Sequence, residues 1–246
     1  MRVVPVPCLK DNYAYLVIDE ATQRCAVVDP SESEPIVAAI AREGVTIGAI
    51  WATHHHPDHV GGIAGLHKEG LEVVAHEKDA DKVPHCSRRV TDGEMIEMDG
   101  LKAKVIHNPG HTLGAITFVV DGCAFTGDTL FCGGCGRVFE GDAAMMQKSL
   151  DKLGSLPGDT KVYCGHEYPA ANLKFAAEVE PENRDVAAKA ASLKVPSVPS
   201  TISEERKTNP FLRARNPSVI AAGVQRGAEA NPVAVFAAIR EWKNNF

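Results

Sequence analysis

The sequence predicts an α/β protein in which helices cover β-sheets, followed by a small C-terminal all-helical domain. Three observations carry this reading. Short apolar, β-prone runs recur through the first two thirds of the chain, and stretches with apolar residues at helical spacing lie between some of them. Beyond about Ala170 no strand-like run appears and alanine becomes frequent. Strands and helices mixed in this way build layered folds, whereas an uninterrupted helical stretch packs as a unit beside them.

The β-prone runs occupy residues 15–18, 25–28, 47–52, 72–75, 102–106, 116–120, 123–126 and 161–164. Helical patterning covers residues 34–43 and 143–153, where Gly44 and Gly154 act as stops. Pro57 disfavours helical dihedrals at His56, so the chain stays extended through His54 and His56 and a helix begins near Asp58. In the tail, Pro196 and Pro199 divide helix and loop segments. Two later segments open with Asn216-Pro217 and Asn231-Pro232, an N-cap followed by proline at the first helical position. The expected division is residues 1–169 for the mixed body and 170–246 for the helical domain, with no internal repeat or low-complexity segment.

At 246 residues the chain is long enough for a sizeable core, and 44% hydrophobic with 24% charged residues is ordinary globular composition. The apolar runs are too short to span a bilayer, and Pro5, Pro7, Lys10 and Asp11 interrupt any signal-peptide core. A cytoplasmic location without membrane attachment is expected. The net charge of −6, without a Lys/Arg run, argues against nucleic acid as a partner. Seven cysteines, an odd number in a chain of this length, read as reduced thiols and not as a disulfide framework. Cys132 and Cys135 form a CxxC, but the flanking Gly133, Gly134 and Gly136 point to a tight loop, and no second CxxC completes a zinc cluster.

The densest signal is THHHPDHVGG at residues 53–62, which sets His54, His56, Asp58 and His59 just after the apolar run at 47–52. Imidazole and carboxylate together suit zinc, iron or manganese, and four such groups on one loop can serve two ions. His54 and His56, two apart on extended chain, point the same way, while Asp58 and His59 face elsewhere and can reach a second ion. His55 lies between ligands and is expected to point away. Further candidates each follow a strand-like run: His111 after Asn108-Pro109-Gly110, Asp128 after Gly127, and His166 after Gly165. Rigid strand ends fix ligands within the tolerance that a metal demands, and the adjacent glycines let backbone approach closely. Asp29, which closes the run at 25–28, either caps a turn or orients a metal-binding histidine from behind; the turn is the favoured reading.

The pattern HxHxDH at 54–59 with His111, Asp128 and His166 resembles the metallo-β-lactamase superfamily. Within it, THHHPDH, the stretch GDTLFCGGCGR from Gly127 to Arg137, CGHEY from Cys164 to Tyr168, and NPFLR from Asn209 to Arg213 resemble glyoxalase II, the hydroxyacylglutathione hydrolases. The resemblance covers essentially the whole chain. It implies an αββα sandwich with a helical substrate-binding domain. It further implies that His54, His56 and His111 hold one divalent ion, that Asp58, His59 and His166 hold another, and that Asp128 bridges both around a shared hydroxide. Zinc is the expected metal, with iron or manganese also compatible. The implied reaction is hydrolysis of S-D-lactoylglutathione to D-lactate and glutathione, the second step of methylglyoxal detoxification. Asp58 and Asp128 act in it through the metals and not as proton donors.

The family's glutathione contacts match Arg137, Tyr168, Arg240 and Lys243 here, and Arg240 and Lys243 share a helical face. Phe139 stands where some family members carry tyrosine, so a hydroxyl contact to glutathione is missing. The implied partner is the small thioester alone, with no obligate protein partner. Competing readings are another superfamily enzyme, a lactonase or a mononuclear iron persulfide dioxygenase that uses glutathione, and a non-enzymatic metal-binding module. Seven protein ligands over two ions leave room for solvent, which argues against a closed structural site.

Overall fold

In the computed structural model, which describes all 246 residues, the chain folds into two six-stranded sheets stacked face to face, with helices on both outer surfaces. The first sheet comprises β1 (Arg2–Cys8), β2 (Asn12–Asp19), β3 (Arg24–Val28), β4 (Thr46–Trp51), β5 (Glu72–His76) and β6 (Arg88–Val90), hydrogen-bonded in that order. The remaining strands are β7 (Met95–Met98), β8 (Leu101–His107), β9 (Ile116–Val120), β10 (Cys123–Gly127), β11 (Leu130–Phe131), β12 (Gly134–Cys135), β13 (Lys161–Cys164) and β14 (Ser200–Thr201). Of these, β11 and β12 make a separate ribbon, and the others form the second sheet in the order β14-β13-β10-β9-β8-β7.

The alternation of side chains along a strand builds the layers. Tyr15 and Val17 of β2 point between the sheets and join Val28, Trp51, Phe118, Phe125 and Tyr163 in the central core. Leu16 and Ile18, one residue out of phase, face the other way and pack with Val27 and Ile50 beneath α1 (Ser33–Glu43), α2 (Pro57–Val60) and α3 (Ile63–Leu66). Both faces of β2 are therefore covered, which is why its sequence is apolar at nearly every position. The outer face of the second sheet, represented by Ile106 and Val162, packs against α4 (Ala143–Gly154). The tail adds α5 (Pro169–Val179), α6 (Arg184–Ala191), α7 (Ile202–Thr208), α8 (Pro217–Val224) and α9 (Pro232–Asn244), and all but α6 continue that same apolar cluster, through Phe175, Ile202, Val219 and Phe236. No helix is long and apolar enough to cross a membrane.

Helix boundaries follow local chemistry. Gly44 ends α1 in the left-handed region at φ 67°, and the Asn216 and Asn231 side chains accept the N–H groups of Ser218 and Ala234 at the starts of α8 and α9. Gly154 is the last residue of α4 and not the residue after it. Six strands escape the sequence reading: the two of the β11–β12 ribbon and the four at the edges of the large sheets. β1 carries Pro5 and Pro7, which an edge strand tolerates because one row of its N–H groups needs no partner. β6 and β7 are short and charged. β14 corrects the expectation of a strand-free tail: Thr201 and Ser200 pair with Lys161 and Val162, too brief a match to leave a period in the sequence.

Candidate metal centre

The carboxyl ends of β4, β8, β10 and β13 deliver His54, His111, Asp128 and His166 to one end of the sandwich, the usual ligand-binding edge of an open α/β sheet. His56 precedes Pro57 at φ −62° and ψ 142°, so His54 and His56 leave β4 on extended chain before α2 turns Asp58 and His59 another way. Two groups result. The His54, His56 and His111 rings lie 4.6–4.9 Å apart between centroids, with His111 Nε2 and His56 Nδ1 separated by 2.9 Å. In the other, Asp58 Oδ2 lies 3.6 Å from His59 Nε2 and 3.4 Å from His166 Nε2. The buried Asp128 carboxylate stands between them, with Oδ1 3.3 Å from His59 Nε2, and Oδ2 3.2 Å from His166 Nε2 and 3.5 Å from His111 Nε2.

Four of the five inward-facing imidazoles, all but His56, are held from behind. His59 Nδ1 lies 2.9 Å from Asp29 Oδ2, His166 Nδ1 3.0 Å from Asp11 Oδ1, and His111 Nδ1 2.9 Å from the Arg137 carbonyl. The Thr53 hydroxyl donates to Asp29 at 2.6 Å, so it is an acceptor toward His54 Nδ1 at 3.1 Å. Acceptors behind these four Nδ1 atoms put the proton there and leave the Nε2 lone pairs of His54, His59, His111 and His166 pointing inward. His54 Nε2, His59 Nε2 and Asp128 Oδ1 are buried with no hydrogen bond. Convergent, buried, unsatisfied lone pairs are costly unless a cation takes them, so this donor set fits divalent metal ions.

The electrostatics agree. Burial holds the His54 imidazole well below its ordinary range. Burial would lower His59 and His166 too, but Asp128 and Asp29 reverse it at His59, and Asp128 with Asp58 push His166 up to about 10. Burial would raise Asp128, yet His59 and His166 hold it well below the carboxylate range. A carboxylate this deep demands positive charge, and without it from a metal the imidazoles supply it as protons.

Residues 10–166 match the family model for the Metallo-beta-lactamase superfamily, and residues 167–246 match that for the Hydroxyacylglutathione hydrolase C-terminus. A Hydroxyacylglutathione hydrolase of Rhodopseudomonas palustris (strain BisA53) is 48% identical over 246 residues, covering 96% of this chain and 96% of that one. The chain belongs to the hydroxyacylglutathione hydrolase family. Among solved structures, ETHE1 from Myxococcus xanthus shares the fold at TM-score 0.69 and 24% identity, over 99% of this chain and 98% of that one. TTHA1623, solved in a di-iron-bound form, is similar at TM-score 0.63 and 28% identity, over 86% of this chain and 100% of that one. The αββα sandwich is thus the metallo-β-lactamase fold.

In this hydroxyacylglutathione hydrolase family member, the five positions matched to glutathione contacts are arranged unevenly. Tyr168 stacks on His166 at 4.8 Å and 5°, with its hydroxyl 3.4 Å from Asp11 Oδ1. Phe139 is 60% exposed and its ring lies 5.8 Å from His56 and 5.2 Å from His111, at the rim of the centre. Arg137 is exposed and meets the centre through its backbone. Arg240, expected to converge with Lys243 on one carboxylate, is buried: its Nη1 donates to the Cys135 carbonyl at 2.8 Å and its Nε to Asn244 Oδ1 at 3.1 Å. Lys243 Nζ donates to the Ala171 carbonyl at 3.1 Å.

Several residues of the site escape sequence reasoning. Asp29 does not serve a turn: buried at φ 48°, it accepts from the Thr53 N–H and hydroxyl and supports His59, the less favoured of its two readings. Asp11 lies between β1 and β2 and Asn12 opens β2, and Asn12 Nδ2 donates to the Asp58 carbonyl and Oδ2 at 3.0 and 3.1 Å. Recognising β1 as a strand would have pointed to both, since they then stand at the turn between two strands. His55 turns outward as expected, its Nδ1 2.9 Å from the buried Asp79. Cys132 and Cys135 frame the turn of the β11–β12 ribbon as free thiols, so the CxxC is a tight loop.

Proposed function

We propose that the chain is a thioester hydrolase that cleaves S-(2-hydroxyacyl)glutathione, foremost S-D-lactoylglutathione, to a 2-hydroxy acid and glutathione. The observation that carries this is the Asp128 carboxylate standing within 3.5 Å of imidazoles from both ligand groups, in a chain whose relatives are named for that activity. Under this reading His54, His56 and His111 hold one divalent ion, Asp58, His59 and His166 hold the other, and Asp128 joins them. Zinc is the first expectation, with iron or manganese compatible; the di-iron form of TTHA1623 supports the two-ion reading. Bound there, two such ions would lower the pKa of water toward about 7, polarise the acyl carbonyl and offset oxyanion charge.

The protein's own residues orient and restrain. Asn12 ties down Asp58, which serves as a ligand and donates no proton. None is needed, because a thiolate leaving group has a conjugate-acid pKa of about 8.5. Arg137, Phe139, Tyr168 and Lys243 are the side chains assigned to the glutathione moiety, with Arg240 acting from its buried place against the Cys135 carbonyl. Residues 1–169 carry the metal chemistry and 170–246 contribute to thioester recognition. The test is steady-state hydrolysis of S-D-lactoylglutathione, followed at its thioester absorbance, with metal content measured on the same sample. Turnover with about two ions per chain is expected; one iron per chain with oxygen uptake and no thioester cleavage defeats the reading.

A further inference from the structure

The β11–β12 ribbon is the shortest sheet in the molecule, yet both of its ends enter the metal centre. Asp128 lies two residues before Leu130, and Arg137, whose carbonyl supports His111, lies two residues after Cys135. Gly136 joins the ribbon to Arg137 in contact with the Asp128 backbone, where any side chain would collide with the Asp128 carbonyl. Two-residue strands do not hold a shape unaided. Here the backbone groups of the turn are taken up by side chains from the tail.

Asn209 Nδ2 donates to the carbonyls of Phe131 at 3.2 Å and Gly134 at 2.8 Å, and Asn172 Nδ2 donates to that of Cys132 at 3.1 Å. Arg240 donates to the Cys135 carbonyl, and the Gly133 N–H donates to Glu205 Oε2 at 2.7 Å. Glu205 is the hub. Fully buried, it also accepts from Asn209 Nδ2 at 3.0 Å, Ser200 Oγ at 2.5 Å and Lys189 Nζ at 2.6 Å. A buried carboxylate with all its acceptor capacity committed has one arrangement, and it transmits that arrangement to whatever it holds.

We infer that Glu205 and Asn209 are positioning residues for the His111 side of the metal centre: through the ribbon they fix the Arg137 carbonyl on His111 Nδ1. This rests on the two-ion reading given above. It makes the tail part of the metal site's scaffold in addition to any contact with substrate. The expected signature is unequal: Asp128, at the ribbon's other end, serves both ions, but the second ion's histidines are supported by Asp29 and Asp11, which residues 170–246 do not touch.

The experiment is chelator competition on the metal-loaded full-length protein, resolving the two dissociation steps, with His111→Ala marking which step belongs to the His111 ion. Glu205→Ala and Asn209→Ala are each expected to weaken that same ion roughly 10- to 100-fold, the usual effect of removing a ligand's outer support, and to weaken the other ion, which the ribbon reaches only through Asp128, to a clearly smaller extent. Asn209→Ala keeps the test open where Glu205→Ala fails to fold. Arg213→Met serves as the control, since it breaks the buried Glu180–Arg213 pair in the tail without touching the ribbon. Equal weakening of both ions, unchanged affinity for both, or the same selective loss in Arg213→Met overturns the inference. Chelator competition needs no substrate, so failure of thioester turnover in the unaltered protein is a separate result.

Discussion

At the scale of single residues, the centre depends on groups that never reach a metal. Asp29 holds the Thr53 N–H, the Thr53 hydroxyl and His59 together, and so fixes ligands of both groups through one carboxylate. Asp29→Ala is expected to lower metal affinity roughly 10- to 100-fold by chelator titration while the far-ultraviolet spectrum stays native. Gly165 is sterically bound to its identity, because a Cβ there would meet Asp128 Oδ1 and the His59 ring. Gly165→Ala should lose bound metal and turnover together, read by metal analysis of the purified protein. The two tail cations should separate in kinetics. Lys243→Ala removes an ammonium assigned to glutathione and should raise KM for a glutathione thioester about tenfold with kcat nearly intact, as loss of one charged hydrogen bond predicts. Arg240→Ala also strands the Cys135 carbonyl, so it should lower kcat as well as raise KM.

At the scale of elements, helices with local caps were legible and edge strands were not. Asn216 and Asn231 announce α8 and α9 because an N-cap and a first-turn proline act within three residues. The strands β1, β6, β7 and β14 owe their conformation to a neighbour's ladder, which local sequence does not record. The tail's own cohesion is testable through Glu180. Burial would raise its carboxyl, but Arg213, with hydrogen bonds from Ser218 and Asn183, holds it below its ordinary 4.5. A carboxyl depressed in the folded state contributes stability that is complete above its ordinary value and is lost as pH falls through the depressed one. The melting temperature should therefore fall on acidification below about 4.5, and Glu180→Gln should flatten that limb while lowering stability at neutral pH. An unchanged acid limb in that variant would remove the pair from the account.

For the whole molecule, the sequence by itself determined the class of chemistry and the layered α/β body. HxHxDH sits within one short loop, and His111, Asp128 and His166 each follow an apolar run, so ligand type and strand-end placement were readable in a line of residues. Tertiary structure decided what lies behind the ligands. Asp11, Asp29 and the Arg137 carbonyl support histidines 155, 30 and 26 residues away, and polar residues that serve such partners look in sequence like any turn or surface group. It likewise decided that Arg240 is buried against the ribbon and that the tail shares its apolar cluster with α4 and the second sheet. The reason is range: covalent geometry and side-chain alternation act over a few residues and leave a local pattern, whereas a hydrogen bond closed by the packing of two sheets leaves none.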